Sequence, residues 1–346
     1  MTKLAEAFEA QAVHCANLGS PFTARLSRLL AENLTPETRV GAALHNWPTD
    51  PSPLAGGVPL RLAGALHAIV LQGRDSDLVA VYPPNTTTDA ALEKAVFAAL
   101  KKHSEFILDW VQSPPQTNEI RRCNGLIPGI HVAAAHFPLP LKMTELGVSA
   151  GLNLNWDRFA LEINGQIWGD TASDVRIRPE WRGPLPPNCP VTVADRAGCD
   201  LNPLRVESPE DRLRLRSYIW ADQSDRITLT DNSIALALAY PPKVVQQDAE
   251  AFLRHRLAEN QEGQLHVIYH SIFWQYLPRE VQDRCAGMIA KAGAKATAKS
   301  PLAWLRFEGD GDPKSGALTL SLWPTGETRV LARVDFHGRW IDWTGW

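Results

Sequence analysis

From about residue 139 to the end of the chain, short apolar runs alternate with amphipathic stretches. No other feature constrains the fold as strongly. "LKMTEL", "PVTVADRAGCDL", "PKVVQQDA", "QLHVIYHSI" and "PLAWLRFEG" have the length and apolar character of buried strands. "PEDRLRLRSYIWAD", "AEAFLRHRLAEN" and "REVQDRCAGMIAKAG" have helical spacing. The first of these helices has Ser208 as its cap and Pro209 in its first turn, and the last ends at Gly293. Strands alternating with helices imply an α/β fold with a mostly parallel sheet covered on both faces. The last two strands, about 317–323 and 329–343, are separated only by Pro324-Thr325-Gly326. A parallel crossover needs about a dozen residues or more, so this pair must form an antiparallel C-terminal hairpin. A second hairpin is expected at Asn164-Gly165, inside an insertion at about 157–190.

Residues 1–135 read differently. "KLAEAFEAQAVHCANL", "FTARLSRLLAENL", "PLRLAGALHAIVLQG" and "TDAALEKAVFAALKKHSEFILDWV" are helical, with Pro21 opening the second and Thr88 or Asp89 capping the fourth. The expected organisation is a helical N-terminal region over 1–135 and an α/β domain over 136–346. At 45% hydrophobic and 21% charged, the composition suits a globular protein with a sizeable core. A formal net charge of -3 argues against a broad electrostatic grip on nucleic acid. The five cysteines are scattered and form no C-x-x-C pair. That spacing fits neither a disulfide framework nor a zinc site, and a reducing cytoplasm suits it. No stretch is apolar enough for a signal peptide core or a membrane span. Twelve tryptophans, five of them from Trp304 to Trp346, read as bulky core filling.

The chemistry centres on "MTELGVSAGLNL". As G-x-S-x-G, residues 147–151 could present Ser149 as a hydrolase nucleophile, with Asp248 and His270 or His337 completing a triad. That reading needs a long helix after Ser149 and an oxyanion loop before it, and neither is evident. As a glycine loop leaving the first strand, the same residues would let a nucleotide approach bare backbone. Asp200, ending the next strand, would then hold ribose hydroxyls, and Asp248, after the third, would face the base.

In order, "ELGVSAG", "GCDLNPL", "VVQQDA", "VIYHSIFWQYL" and the terminal hairpin resemble the motif series of class I S-adenosylmethionine-dependent methyltransferases. The longer series "TNEIRR … ELGVSAGLNL … DRF … RAGCDLNPL … HSIFWQYL" resembles a bacterial family known only as a domain of unknown function. The first resemblance implies a Rossmann-like sheet, S-adenosylmethionine as cofactor, no required metal and a methyl acceptor of unknown identity. Carried over residue by residue, it places Glu145 at the methionine part of the cofactor and Gly147, Ser149 and Gly151 along the loop. Asp200 falls on the ribose and Asp248 beside the adenine. His270 and Tyr276 are the candidate catalytic groups, His270 as a base, and Trp274, Arg121 and Arg122 the candidate substrate contacts. The chain departs from the pattern at Ser149, where a glycine is usual, and in the 40-residue segment before the second strand. A serine hydrolase and a non-catalytic nucleotide-like ligand-binding or interaction protein are the alternatives.

Overall fold

The computed structural model describes residues 2–53, 55–258 and 262–346. The chain forms two compact units: Met1–Thr117 with Glu207–Thr228, and Asn118–Val206 with Leu229–Trp346.

The first unit carries α1 (Lys3–Asn17), α2 (Pro21–Asn33), α3 (Arg39–His45), α4 (Val58–Leu71), α5 (Ser76–Val81), α6 (Asp89–Lys102) and α7 (Ser104–Trp110). Side-chain oxygens of Thr2, Ser20, Thr38, Asp75 and Thr88 cap five of these helices, so the starts are written locally in the sequence. Their apolar faces meet in one core that includes Leu26, Leu30, Leu62, Leu66, Val96, Leu100 and Ile107. The fourth expected helix is two helices, α6 and α7, because the chain leaves helical geometry at His103.

The second unit opens with α8 (Cys123–His136), which packs on the large sheet. Gly125 and Gly129 allow the approach, the latter leaving no room for a side chain against Leu305. The strands are β1 (Leu141–Leu146), β2 (Ala160–Ile163), β3 (Gln166–Gly169), β4 (Arg176–Ile177), β5 (Glu180–Arg182), β6 (Val193–Asp200), β7 (Val244–Gln246), β8 (Leu265–Ser271), β9 (Leu302–Glu308), β10 (Gly316–Trp323), β11 (Glu327–Val334) and β12 (Trp340–Trp343). Nine of them form a sheet in the order β5-β12-β11-β10-β9-β8-β1-β6-β7. From β7 to β9 every pairing is parallel, and β10 and β11 form the antiparallel C-terminal hairpin. The expected last strand is two, β11 and β12. It turns at buried Asp335, whose Oδ1 accepts the backbone N–H groups of His337 and Arg339.

The insertion after β1 holds a small second sheet, β3-β2-β4. Its β2-β3 hairpin turns at Asn164 (φ 49°) and Gly165 (φ 80°), the left-handed pair that Asn-Gly supplies. Four helices complete the order: α9 (Pro209–Ser217), α10 (Ser224–Ala239), α11 (Ala249–Arg256) and α12 (Arg279–Gly293). The division by contacts therefore does not fall at residue 135. α8 belongs with the sheet, and α9 belongs with the helical unit. Periodicity marks a helix but does not say which core its apolar face will join. No described helix is long and apolar enough to cross a membrane.

Candidate functional site

Strand order reverses at β1, which lies between β6 and β8. In parallel sheets such a reversal opens a crevice at the carboxyl ends of the strands. Glu145 sits one residue before the end of β1, in register with Gly198 of β6 and Tyr269 of β8. It is almost fully buried, and the Tyr269 hydroxyl donates to its Oε2 at 3.1 Å. Burial pushes the Glu145 carboxyl up to about 8. The tyrosine bond pulls the other way, and the nearby Asp200 charge adds to the rise. Near neutral pH this carboxyl therefore keeps its proton.

Beyond Glu145 the backbone turns sharply. Gly147 (φ 71°), Ser149 (φ 55°) and Gly151 (φ 74°) are all left-handed. The N–H groups of Gly147 and Val148 donate to the Cys199 carbonyl at 2.9 and 3.1 Å. Ser149 N–H donates to Asp200 Oδ2 at 2.9 Å, and Asn202 N–H to Asp200 Oδ1 at 2.9 Å. Asp200 thus ties the glycine loop to the end of β6. The loop's far end is held by Asn118, whose Oδ1 accepts Leu152 N–H at 2.9 Å, and by Asn153, which donates to the Glu119 carbonyl at 3.3 Å.

A side chain at Gly147 would meet the Phe273 ring, 2.0 Å from an ideal Cβ position, and one at Gly151 would meet Val244 at 2.5 Å. Gly147→Ala should therefore lower stability by about 2–3 kcal/mol, combining left-handed strain with overpacking. The double variant Gly147→Ala/Phe273→Ala should recover the overpacking part relative to Phe273→Ala alone. Urea unfolding of the four proteins checks this, and full additivity would remove Phe273 from the explanation.

The remaining candidates are placed as follows. Asp248 caps α11, accepting Ala251 N–H at 2.8 Å, and its side of β7 is joined to β6 by Gln247 N–H donating to the Asp200 carbonyl at 3.0 Å. Asp200 and Asp248 thus stand at neighbouring strand ends. His270 is fully buried, with Nδ1 2.6 Å from Glu308 Oε1 and Nε2 accepting Trp304 Nε1–H at 3.1 Å. Both ring nitrogens are engaged, so the base expected at His270 has no lone pair to offer an acceptor. Trp274 stacks on the His270 ring at 4.8 Å, and Tyr276 is 69% exposed. Arg122 donates to the carbonyls of Phe336 and Ser271 at 3.2 and 3.3 Å, which ties its guanidinium to backbone. Arg121 N–H donates to Glu119 Oε1 at 3.1 Å.

Ser149 Oγ is buried and has no hydrogen-bond partner among the described residues. An activated serine needs a base within hydrogen-bond reach, and here none addresses the hydroxyl. The loop is followed by a 3₁₀ segment, Leu152–Arg158, where a hydrolase would have a long packed helix.

The sequence reading gave no individual role to three residues: Tyr269, Phe273 and Glu308. Glu308 carried a legible signal, being an acidic residue at the end of an apolar strand, as Glu145 and Asp200 are. Residues 5–343 match the family described as an uncharacterized protein conserved in bacteria (DUF2332), and the chain belongs to that family. No curated protein and no solved structure matches it.

Proposed function

We propose that this chain is an S-adenosylmethionine-dependent methyltransferase with a Rossmann-like sheet, acting on an acceptor still to be identified. One observation carries the reading. A left-handed glycine loop leaves β1 where the strand order reverses, and the carboxylate that ends the adjacent strand holds that loop by Ser149 N–H.

The residues fit the adenosine half of the cofactor. Each Asp200 oxygen accepts one backbone N–H, and a carboxylate offers about four lone-pair sites, so acceptor capacity remains for ribose hydroxyls. Asp248 at the next strand end would take the adenine side. At the methionine half, the unpartnered Ser149 Oγ supplies a polar contact, and Phe273 over Gly147 fixes how closely a ligand can lie on the loop. The bound sulfonium would supply an already activated methyl group. The chain's share is to align the acceptor with it and exclude water.

With His270 closed, this chemistry suits an acceptor that needs no strong base. The same closure favours a second reading, a nucleotide-like ligand-binding protein without catalysis. Equilibrium binding of labelled S-adenosylmethionine to wild type and Asp200→Ala tests the site. The variant should bind more weakly by about 1–3 kcal/mol, the usual effect of losing a partner for buried polar groups. Equal affinity would remove the ribose role. Binding without methyl transfer to any acceptor tried would favour the second reading.

A further inference from the structure

A cavity of about 60 Å³ lies at the amino ends of β8 and β9, the end of the sheet opposite the glycine loop. His266, the second residue of β8, and Lys295, two residues past the end of α12, supply its polar wall. Leu257, Ala292, Ala296 and Leu302 supply its apolar wall. One water needs about 10–15 Å³ of such space, so the cavity takes a group of about four to six heavy atoms.

The bonds behind His266 fix which ring nitrogen carries its proton. Nε2 lies 2.8 Å from Thr144 Oγ1. Thr144 is fully buried, and its Oγ1 accepts Arg256 Nε–H at 2.9 Å. Arg256 is held in turn by Asp195 Oδ2 at 2.6 Å and by the Met143 carbonyl at 2.9 Å. The Thr144 hydroxyl has one proton to give, and His266 Nε2 is its acceptor among the described residues. Burial pushes the His266 ring well below its ordinary range, and Lys142 and Arg256 nearby push the same way, so the ring is neutral near pH 7. A neutral imidazole that accepts at Nε2 is protonated at Nδ1. No hydrogen bond engages that Nδ1–H among the described residues, and the ring lines the cavity.

We propose that this cavity binds a small aliphatic carboxylate, one oxygen accepting from His266 Nδ1–H and the other from the Lys295 ammonium. Two donors match the two oxygens of a carboxylate, and the ammonium makes one of these bonds charge-assisted at both ends. The short hydrocarbon tail would lie against Leu257, Ala292 and Leu302. A phosphate has oxygens on every side and would leave acceptors unserved against those apolar walls. The chain Asp195, Arg256, Thr144 holds the imidazole in the tautomer that the ligand needs. The site uses none of the residues assigned to the cofactor and does not depend on the methyltransferase reading.

Calorimetric titration of the intact protein with propionate, and with inorganic phosphate at matched ionic strength, tests the site. Wild type should bind propionate saturably at one molecule per chain and should not bind phosphate here. Lys295 is exposed, so Lys295→Gln removes the charge without disturbing the core. It should weaken propionate binding about tenfold, as expected for losing one charge-assisted hydrogen bond. Ala296→Leu should fill the cavity and abolish binding while both donors stay in place. Thermal unfolding without ligand identifies any variant that fails to fold, and Lys295→Gln still decides the matter if Ala296→Leu does. Absence of saturable propionate binding to wild type, saturable phosphate binding in its place, or equal propionate binding by wild type and Lys295→Gln would overturn the proposal.

Discussion

Glu308→Ala should destabilise the protein by about 3–5 kcal/mol. Glu308 Oε1 lies 2.6 Å from His270 Nδ1 and accepts the backbone N–H groups of Phe273 and Trp274 at 3.0 and 3.2 Å. Truncation strands a fully buried imidazole and two loop amides together. It also releases Ile272, whose φ of 48° is costly for a β-branched residue and is tolerated only where neighbours enforce it. Glu308→Gln keeps one oxygen acceptor and should lose less. Denaturant unfolding gives the size of the effect, and hydrogen exchange at Phe273 and Trp274 gives its location. Wild-type exchange rates at those amides in Glu308→Ala would show that the carboxylate does not hold the loop.

Glu145 should make the protein less stable as pH rises from about 4.5 to about 8. The folded state holds this proton up to about 8, whereas an unperturbed glutamate releases it near 4.5. Below that window both states are protonated and the contribution is fully present. Inside it, unfolding releases a proton, so each rise in pH favours the unfolded chain. One proton corresponds to at most about 1.4 kcal/mol per pH unit, on the order of 4 kcal/mol across the interval. Glu145→Gln stays neutral and should lack this slope. Unfolding free energies of both proteins at several pH values check the difference. Parallel curves would mean that Glu145 is ionised in the folded protein.

The parts of this fold legible in the sequence were those encoded locally. Helix starts were marked by side-chain caps such as Thr88 and Ser208. The β2-β3 turn was marked by Asn164-Gly165, and the β10-β11 pairing by a connection too short for a crossover. The assignment of α8 and α9 to their units was not legible, because it depends on long-range packing such as Gly129 against Leu305. At the site, Glu145 and Asp200 were recognisable as acidic residues ending apolar strands. Their surroundings were not, since Tyr269 reaches Glu145 through the sheet register, and Asn118 holds the glycine loop at Leu152 from a chain segment 34 residues away. His270 shows the converse. A histidine on an apolar strand beside aromatic residues looks chemical in one dimension, yet Glu308 and Trp304 close both of its nitrogens in three.

The central claim is that the β1 glycine loop and Asp200 form an S-adenosylmethionine site, and calorimetric titration of the intact protein with S-adenosylhomocysteine tests it most directly. The expected result is saturable binding at one molecule per chain, weakened in Asp200→Ala. No saturable heat from a folded wild-type protein would contradict it.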